Sequence, residues 1–284
     1  MSNSFISKIY GKILKFTKPS YMDLQDDVND FLAKKDSFDE PVRSIFKSID
    51  FDDLQVFTFG SENAKNTIIF MHGGAYVNQI NYQHYLYCLK MARKLDAYVL
   101  APVYPLAPHH KANESFNLIT KLYENIIHKR ENVILMGDSA GGGFVLSFCQ
   151  YLKTINLPQP NQIVAFSPWV DIAMTNPPYD SENDPILGEV GLKEIGRLWA
   201  GELSVDDYKV SPIFGDNSNL AKTLIFAGTD EIFYKDIKKY VENLKENNVD
   251  VKFITGEGLF HIYPLFPMPE AKEAFKELKK EIIG

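Results

Sequence analysis

Short apolar runs, many of them β-branched, alternate along most of this chain with longer stretches in which apolar residues recur every three or four positions. The short runs predict buried strands, and the longer stretches predict amphipathic helices. The predicted strands are residues 56–59, 67–71, 98–102, 133–136, 163–166, 223–227 and 251–255. The clearest helical patterns cover 85–95, 116–126, 237–244 and 271–282. Strands that alternate with helices predict an α/β fold, with a mostly parallel central sheet and helices on both of its faces.

Two regions depart from this alternation. The first 48 residues read as helical, and residues 171–211 carry several prolines and acids around one short helical piece. We therefore expect one α/β domain over residues 49–284, with a small helical cap. The cap would consist of the N-terminal segment 1–48 and an insertion at 171–211.

Composition and charge narrow the class of protein. The chain has 284 residues, of which 45% are hydrophobic, and a formal net charge of −7. These values are typical of a globular protein with a large core, and the acidic balance argues against a general nucleic-acid binder. Cys88 and Cys149 fall in predicted helices without metal-ligand spacing, so we expect buried free thiols. With no signal-peptide pattern and no membrane-spanning run, we expect a cytoplasmic protein.

The N-terminal helical segment is basic and amphipathic. Four lysines precede its first acid: Lys8, Lys12, Lys15 and Lys18. Five apolar residues recur at helical spacing: Phe5, Ile6, Ile9, Ile13 and Phe16. Such a helix can lie on an anionic membrane. We favour the alternative, in which it packs over the main domain and leaves its lysines in solvent.

The ends of the predicted strands carry the candidate chemistry, because ligands of parallel α/β sheets bind beyond the carboxyl ends of the strands. The motif HGGAY follows the strand at 67–71, and GDSAGG follows the strand at 133–136. The second motif fits G-x-S-x-G, which between a strand and a helix presents its serine on a sharp turn. Asp230 and His261 each lie just beyond a later strand.

Each of these features alone has an ordinary structural explanation, such as a tight turn, a helix cap or a core histidine. Their order along the chain is more specific, because glycines, Ser139, Asp230 and His261 follow one another as in the triad of α/β-hydrolases. His261 would accept the proton of the attacking Ser139 hydroxyl, and Asp230 would orient the imidazole. The backbone N–H groups of three residues would stabilise the oxyanion: Gly73, Gly74 and Ala140.

From about Phe57 to its end, the chain resembles the hormone-sensitive-lipase-like branch of the α/β-hydrolases, which includes many bacterial carboxylesterases. The motifs that carry the resemblance are HGGAY, VYPLAPHH, GDSAGG, FSPWVD, SPIFGD, LIFAGTDEIF and GLFHIY. The resemblance implies hydrolysis of small-molecule carboxylic esters through an acyl-enzyme, without metal or cofactor. It also implies the catalytic and oxyanion roles already given, with His72 bracing the oxyanion loop.

The chain departs from the family pattern at three places. Ala75 stands where the family commonly has a third glycine, which would change the shape of the oxyanion hole. Pro105 and His109 replace a charged pair within the YxLAP motif, so the contact that this pair makes is in question. Glu231 directly follows Asp230 and is a second carboxylate that could pair with His261.

Three functions remain in view. The first is a serine esterase for small esters with acetyl to butyryl groups. The second is an arylformamidase-type hydrolase, since HGGAY and a serine elbow also occur in that group. The third is a non-catalytic binding protein on the same fold, against which the presence of His261 argues. The resemblance is compatible with a homodimer, formed through the sheet edge or the last helix.

Overall fold

A computed structural model of the chain describes residues 3–35 and 42–284. The helices within this part are α1 (Phe5–Thr17), α2 (Gln25–Ala33), α3 (Tyr82–Lys94), α4 (Ala112–Ile127), α5 (Ser139–Thr154), α6 (Glu189–Ala200), α7 (Tyr234–Glu246) and α8 (Pro269–Ile283). The strands are β1 (Ser48–Phe51), β2 (Leu54–Phe59), β3 (Asn66–Met71), β4 (Ala97–Pro102), β5 (Val133–Asp138), β6 (Gln162–Phe166), β7 (Thr223–Gly228) and β8 (Val251–Gly256). Short 3-10 helices cover Ser20–Met22, Pro212–Phe214 and Tyr263–Leu265.

The strands form one sheet in the order β1-β2-β4-β3-β5-β6-β7-β8. The pairs β1–β2 and β2–β4 are antiparallel, and the pairs from β4 to β8 are parallel. All seven predicted strands are present, and the prediction of a mostly parallel sheet is confirmed. Strand β1 was not predicted, because its four residues contain no apolar run and its central residues are exposed. It lies at the edge of the sheet, and a two-residue turn connects it to its antiparallel partner β2.

Helices cover both faces of the sheet, which explains why the central strands are apolar throughout rather than alternating. Helices α3 and α8 pack on one face, where Tyr87, Met91 and Phe275 are buried. Helices α4, α5 and α7 pack on the other face. The two cysteines are buried and free, one on each side of the sheet, as expected.

The N-terminal segment and the insertion at 171–211 contact each other. Helix α2 packs against α6, and Gly188 and Gly191 lie so close to the backbone of Tyr21 and Met22 that a Cβ atom would overlap it. Residues 1–2 and 36–41 of the expected cap lie outside the described residues. In the insertion, Trp199 is buried and stacks on Tyr76, with ring centroids 4.2 Å apart.

Helix α1 lies on the main domain through the face that carries Ser7, Tyr10 and Leu14. The Ser7 hydroxyl donates to a carboxylate oxygen of Glu270 at 3.0 Å, and Gly11 faces Phe260. Helix α1 packs on the domain as expected, and Lys8, Lys12 and Lys15 are exposed, whereas the Lys18 side chain is only 9% exposed. The ring of Phe16 does not contact the domain core, because 92% of its surface is exposed. None of the helices in residues 3–35 and 42–284 is long and apolar enough to cross a membrane.

Replacing Gly141 with alanine tests the close approach of α5 to the sheet. A Cβ atom at this position would overlap the backbone of Met71, and backbone cannot rotate away as a side chain can. We expect Gly141→Ala to lower the free energy of unfolding by at least about 2 kcal/mol, measured by urea denaturation. Gly11→Ala is the matched control, since its Cβ would meet only the Phe260 ring at 3.9 Å. The control should be stabilised by up to about 1 kcal/mol, as alanine favours helix. Equal stability of the two variants would contradict this packing.

Asp236 of α7 is buried and accepts a hydrogen bond from the Tyr179 hydroxyl of the insertion at 2.9 Å. Burial, more than any neighbour, raises the pKa of Asp236 from 3.8 to about 6. Between pH 3.8 and about 6, Asp236 is protonated in the folded state but ionised in the unfolded state. The free energy of unfolding therefore falls as the pH rises through this range, and above it the destabilisation is complete and no longer changes with pH.

We therefore expect Asp236→Asn to raise the free energy of unfolding at pH 8 by about 1–3 kcal/mol, because the amide is uncharged and still accepts from Tyr179. The gain should shrink by more than half when unfolding is measured at pH 4.5. Asp250→Asn, at an exposed position, is the control and should show no such pH-dependent gain. A gain at Asp236 that did not change with pH would show that charge burial is not its cause.

Candidate active site

The turn between β5 and α5 holds Ser139 in a backbone conformation that side-chain-bearing residues rarely adopt, with φ at +52°. Glycines around it allow other backbone to approach closely. A Cβ at Gly141 would overlap Met71, and one at Gly143 would overlap the carbonyl of Trp169. The glycine-rich motif therefore places the first turn of α5 directly against the ends of β3 and β6. Ser139 is left at the carboxyl edge of the sheet, on the wall of a cavity.

His261 lies in the loop after β8, and its Nε2 atom is 2.8 Å from Ser139 Oγ. The imidazole is buried, and the next residue, Ile262, has a left-handed conformation with φ at +50°. The N–H of Ile262 donates to Ser167 Oγ at 2.9 Å, which anchors this loop to the residue after β6. The serine and the histidine are thus within hydrogen-bond distance although 122 residues separate them in sequence.

The carboxylate beside His261 belongs to Glu231. Its Oε2 atom is 3.8 Å from His261 Nδ1, and it accepts hydrogen bonds from Ser167 Oγ at 2.6 Å and from the Gly228 N–H at 3.1 Å. Glu231 is buried, whereas Asp230 is exposed and accepts a hydrogen bond from its neighbour Thr229.

The structure therefore brings Ser139 and His261 together but not Asp230, which the sequence analysis expected as the acid. The backbone after β7 directs the two consecutive carboxylates to different environments. Asp230 faces a surface groove beside α1, and Glu231 faces the interior below His261. The sequence signal for Glu231 was its position next to Asp230, which left the choice between them open.

The loop after β3 carries the expected oxyanion donors, but it uses Gly73 differently. The Gly73 N–H donates to Asp138 Oδ1 at 2.9 Å, so this donor already has a buried partner. Gly74, at φ +117°, and Ala75, at φ +53°, line the cavity next to Ser139. Ala140 is the second residue of α5, where backbone N–H groups have no partner within the helix. The Gly73 N–H is therefore turned to Asp138, whereas Gly74 and Ala75 lie on the cavity wall.

Asp138 and His84 form a buried pair that the sequence analysis did not identify. The Asn81 N–H donates to His84 Nδ1 at 3.1 Å, so Nε2 carries the hydrogen that points to Asp138 Oδ2 at 3.4 Å. Burial raises the pKa of Asp138, but His84 and the Gly73 N–H together outweigh it and hold that pKa below its usual value. A charged Asp138 thus ties the serine turn to the oxyanion loop. The only sequence signal was its place as the variable residue in G-x-S-x-G.

His72 is held by two hydrogen bonds around the same loop. Its Nδ1 atom donates to the Gly73 carbonyl at 2.7 Å, and the Tyr104 hydroxyl donates to the His72 carbonyl at 2.7 Å. Burial, together with the nearby His84, lowers the pKa of His72 to about 3. The imidazole is therefore uncharged at neutral pH. Tyr104 begins the YPLAP motif, so the two motifs meet although Pro105 and His109 differ from the family pattern.

A cavity of about 260 Å³ opens beside the Ser139 hydroxyl. Its wall includes Gly74, Ala75 and His261 from the main domain, and amide side chains from Asn78, Asn81 and Gln83. The N-terminal segment contributes Pro19, Tyr21 and Met22, and the insertion contributes Ile186 and Leu187. Trp199 is not among the residues of this wall and instead packs in the core. In the described part of the chain, no group of three or more potential metal ligands is present.

Known esterases are similar to this chain in sequence and in fold. An esterase from Acinetobacter venetianus is 27% identical over 224 residues, which cover 76% of this chain and 74% of that protein. A solved structure from Staphylococcus aureus that is assigned to the esterases has a TM-score of 0.85 and 27% identity, and the match covers 94% of this chain and 96% of that one. A hormone-sensitive lipase from a metagenome library shares the fold, with a TM-score of 0.82, 21% identity and 97% of each chain covered.

The family model described as the alpha/beta hydrolase fold matches residues 68–265, which is more than half of the chain. This match includes the oxyanion loop, the serine turn and His261. The resemblance and the fold predicted from the sequence motifs are therefore confirmed, and the chain belongs to the α/β-hydrolase family.

Proposed function

We propose that the chain is a serine carboxylesterase that hydrolyses small esters with short acyl groups. The observation that carries the proposal is the 2.8 Å distance between Ser139 Oγ and His261 Nε2, at a strand-to-helix turn beside a cavity. A serine in that position has a base within reach, and a cavity in which a carbonyl carbon can be placed. The related esterases support the same type of reaction.

The reaction would proceed through two tetrahedral intermediates. His261 takes the proton of Ser139 as its oxygen attacks the ester carbonyl, and then gives the proton to the departing alcohol. Water, deprotonated by the same imidazole, releases the acid from the acyl-enzyme. The N–H groups of Gly74, Ala75 and Ala140 stabilise the negative oxygen in both steps. Losing one such donor typically costs about 2.7–4 kcal/mol of transition-state stabilisation.

Glu231 is the acid in this proposal. A buried carboxylate beside Nδ1 stabilises the imidazolium that forms during attack, and the bonds from Ser167 and Gly228 hold it in place. The 3.8 Å separation is longer than a hydrogen bond, and such contacts often shorten when substrate binds. Asp230 supplies no comparable contact, so we assign it no catalytic role.

The size of the cavity supports acetyl to butyryl groups. A volume of about 260 Å³ lies below the range of about 300–1,000 Å³ that is usual for pockets of drug-sized ligands. Residues of the N-terminal segment and of the insertion close its outer side. We therefore propose that these two segments act as the cap of the domain and restrict the length of the acyl chain.

Hydrolysis of p-nitrophenyl esters from acetate to decanoate tests the reaction and the acyl size together. We expect the specificity constant to be highest at acetate to butyrate and to fall beyond it. Ser139→Ala should lose activity by at least about 10⁴-fold, because residues 3–35 and 42–284 place no other nucleophile within hydrogen-bond distance of His261 Nε2. N-formylkynurenine at the same concentration is the comparison substrate. Faster hydrolysis of this formamide would favour the arylformamidase alternative, and no activity on either would favour a binding protein.

The pair Glu231→Gln and Asp230→Asn tests the choice of acid. Both changes remove one carboxylate and keep its shape. We expect Glu231→Gln to lower kcat by about 10²–10⁴-fold, since the imidazolium loses its partner. Asp230→Asn should stay within about threefold of the wild type. Thermal melting checks that both variants fold. A larger loss of kcat in Asp230→Asn than in Glu231→Gln would identify Asp230 as the acid instead.

A further inference from the structure

The apolar face of α1 points into solvent, which is the opposite of what an amphipathic helix on a domain surface normally does. Phe5 is 77% exposed and Phe16 is 92% exposed, and three isoleucines between them on the same face are exposed as well. We call this surface the apolar stripe: Phe5, Ile6, Ile9, Ile13 and Phe16. The sequence analysis, which leaves the lysines in solvent, expects these residues to pack against the main domain.

The opposite face of α1 fixes this orientation. Ser7 is buried and donates to Glu270, and the Asn3 side chain donates to the Gly258 carbonyl at 2.6 Å. Tyr10 packs edge-on against Phe266, Leu14 packs on the domain core, and Gly11 lies beside the Phe260 ring. Because this face makes the contact with the domain, the residues of the stripe remain between 42% and 92% exposed.

A row of lysines borders the stripe. Lys8, Lys12 and Lys15 are exposed, recur at helical spacing, and have no acidic partner among the described residues. Helix α1 contains no acid, although the whole chain carries a net charge of −7. A positively charged edge next to exposed aromatic and aliphatic residues is the composition that binds at the boundary between lipid headgroups and acyl chains. We propose that α1 is a docking element for an anionic lipid surface.

A second copy of this chain fits the surface less well. Helix α1 has 13 residues, which gives a contact face of roughly 20 by 10 Å. This footprint is small against the roughly 800 Å² that each partner buries in a stable complex. An antiparallel pairing of two stripes would also place both lysine rows on the same side of the contact, where they repel each other.

The position of α1 connects the docking surface with the active site. The chain leaves α1 through Lys18, which is paired with Asp23 at 3.1 Å, and then forms part of the wall of the Ser139 cavity. Pro19 is both exposed and part of that wall. A protein docked through the stripe would hold this side of its cavity close to the lipid surface, where apolar esters concentrate.

Vesicle flotation with the full chain tests the proposal without using enzyme activity. We expect wild-type protein to float with vesicles of equal parts phosphatidylglycerol and phosphatidylcholine, and at least about tenfold more weakly with phosphatidylcholine alone. Binding should weaken as salt is raised. Phe5→Ser combined with Phe16→Ser, and Lys8→Glu combined with Lys15→Glu, should each lose binding to the mixed vesicles by at least about tenfold.

Matched control variants carry the same kinds of substitution elsewhere on the surface. Phe214→Ser removes another exposed aromatic residue, and Lys238→Glu combined with Lys245→Glu makes the same charge change on α7. Both should bind within about twofold of the wild type. Hydrolysis of a water-soluble ester and thermal melting show that each variant is folded.

Three results would overturn the proposal. They are absence of wild-type binding to the anionic vesicles, equal binding to both kinds of vesicle, and equal losses in the test and control variants. Light scattering tests the alternative that a second copy of the chain covers the stripe. A wild-type dimer that Phe5→Ser with Phe16→Ser converts to a monomer would assign the stripe to a second copy instead.

Discussion

The contact on which the active site depends is that between the buried Asp138 carboxylate and the Gly73 N–H. Asp138 ends β5 and precedes Ser139, whereas Gly73 belongs to the loop after β3. One hydrogen bond therefore fixes the position of the loop with Gly74 and Ala75 relative to Ser139. The charge would be costly to bury without partners. His84 and the Gly73 N–H are these partners. The groups that stabilise the buried carboxylate therefore also hold the β3 loop against the serine turn.

A second shared group sits below His261. Ser167 Oγ donates to Glu231 and accepts from the Ile262 N–H, so one hydroxyl positions both the Glu231 carboxylate and the loop that carries His261. Three strand ends, those of β6, β7 and β8, meet at this hydroxyl. The two networks together explain how residues at the ends of five neighbouring strands meet around Ser139 and His261.

The sequence predicted the seven apolar strands, the serine turn, the family and a histidine beside the serine, because each depends on local patterns or on fixed order along the chain. The choice between Asp230 and Glu231 depends on which way the backbone turns after β7, and neighbouring carboxylates look alike in a sequence. The role of Gly73 was missed for a similar reason, since its N–H could point to the cavity or to Asp138. The outward face of α1 was also misjudged. Helical spacing reveals two faces, but not that the face with Ser7, Tyr10 and Leu14 would be the inner one.

The stack of Trp199 on Tyr76 has a consequence for how such a protein can change. Tyr76 directly follows Ala75 of the oxyanion loop, and its ring lies parallel to that of Trp199 in the insertion, with an angle of 4° between them. The insertion is therefore not an independent module that can be exchanged while the catalytic loops stay constant. Grafting the corresponding segment of a relative onto this chain would alter the support of the oxyanion loop along with the acyl pocket. An exchange of the insertion made to alter substrate range would therefore also change what supports the loop with Gly74 and Ala75.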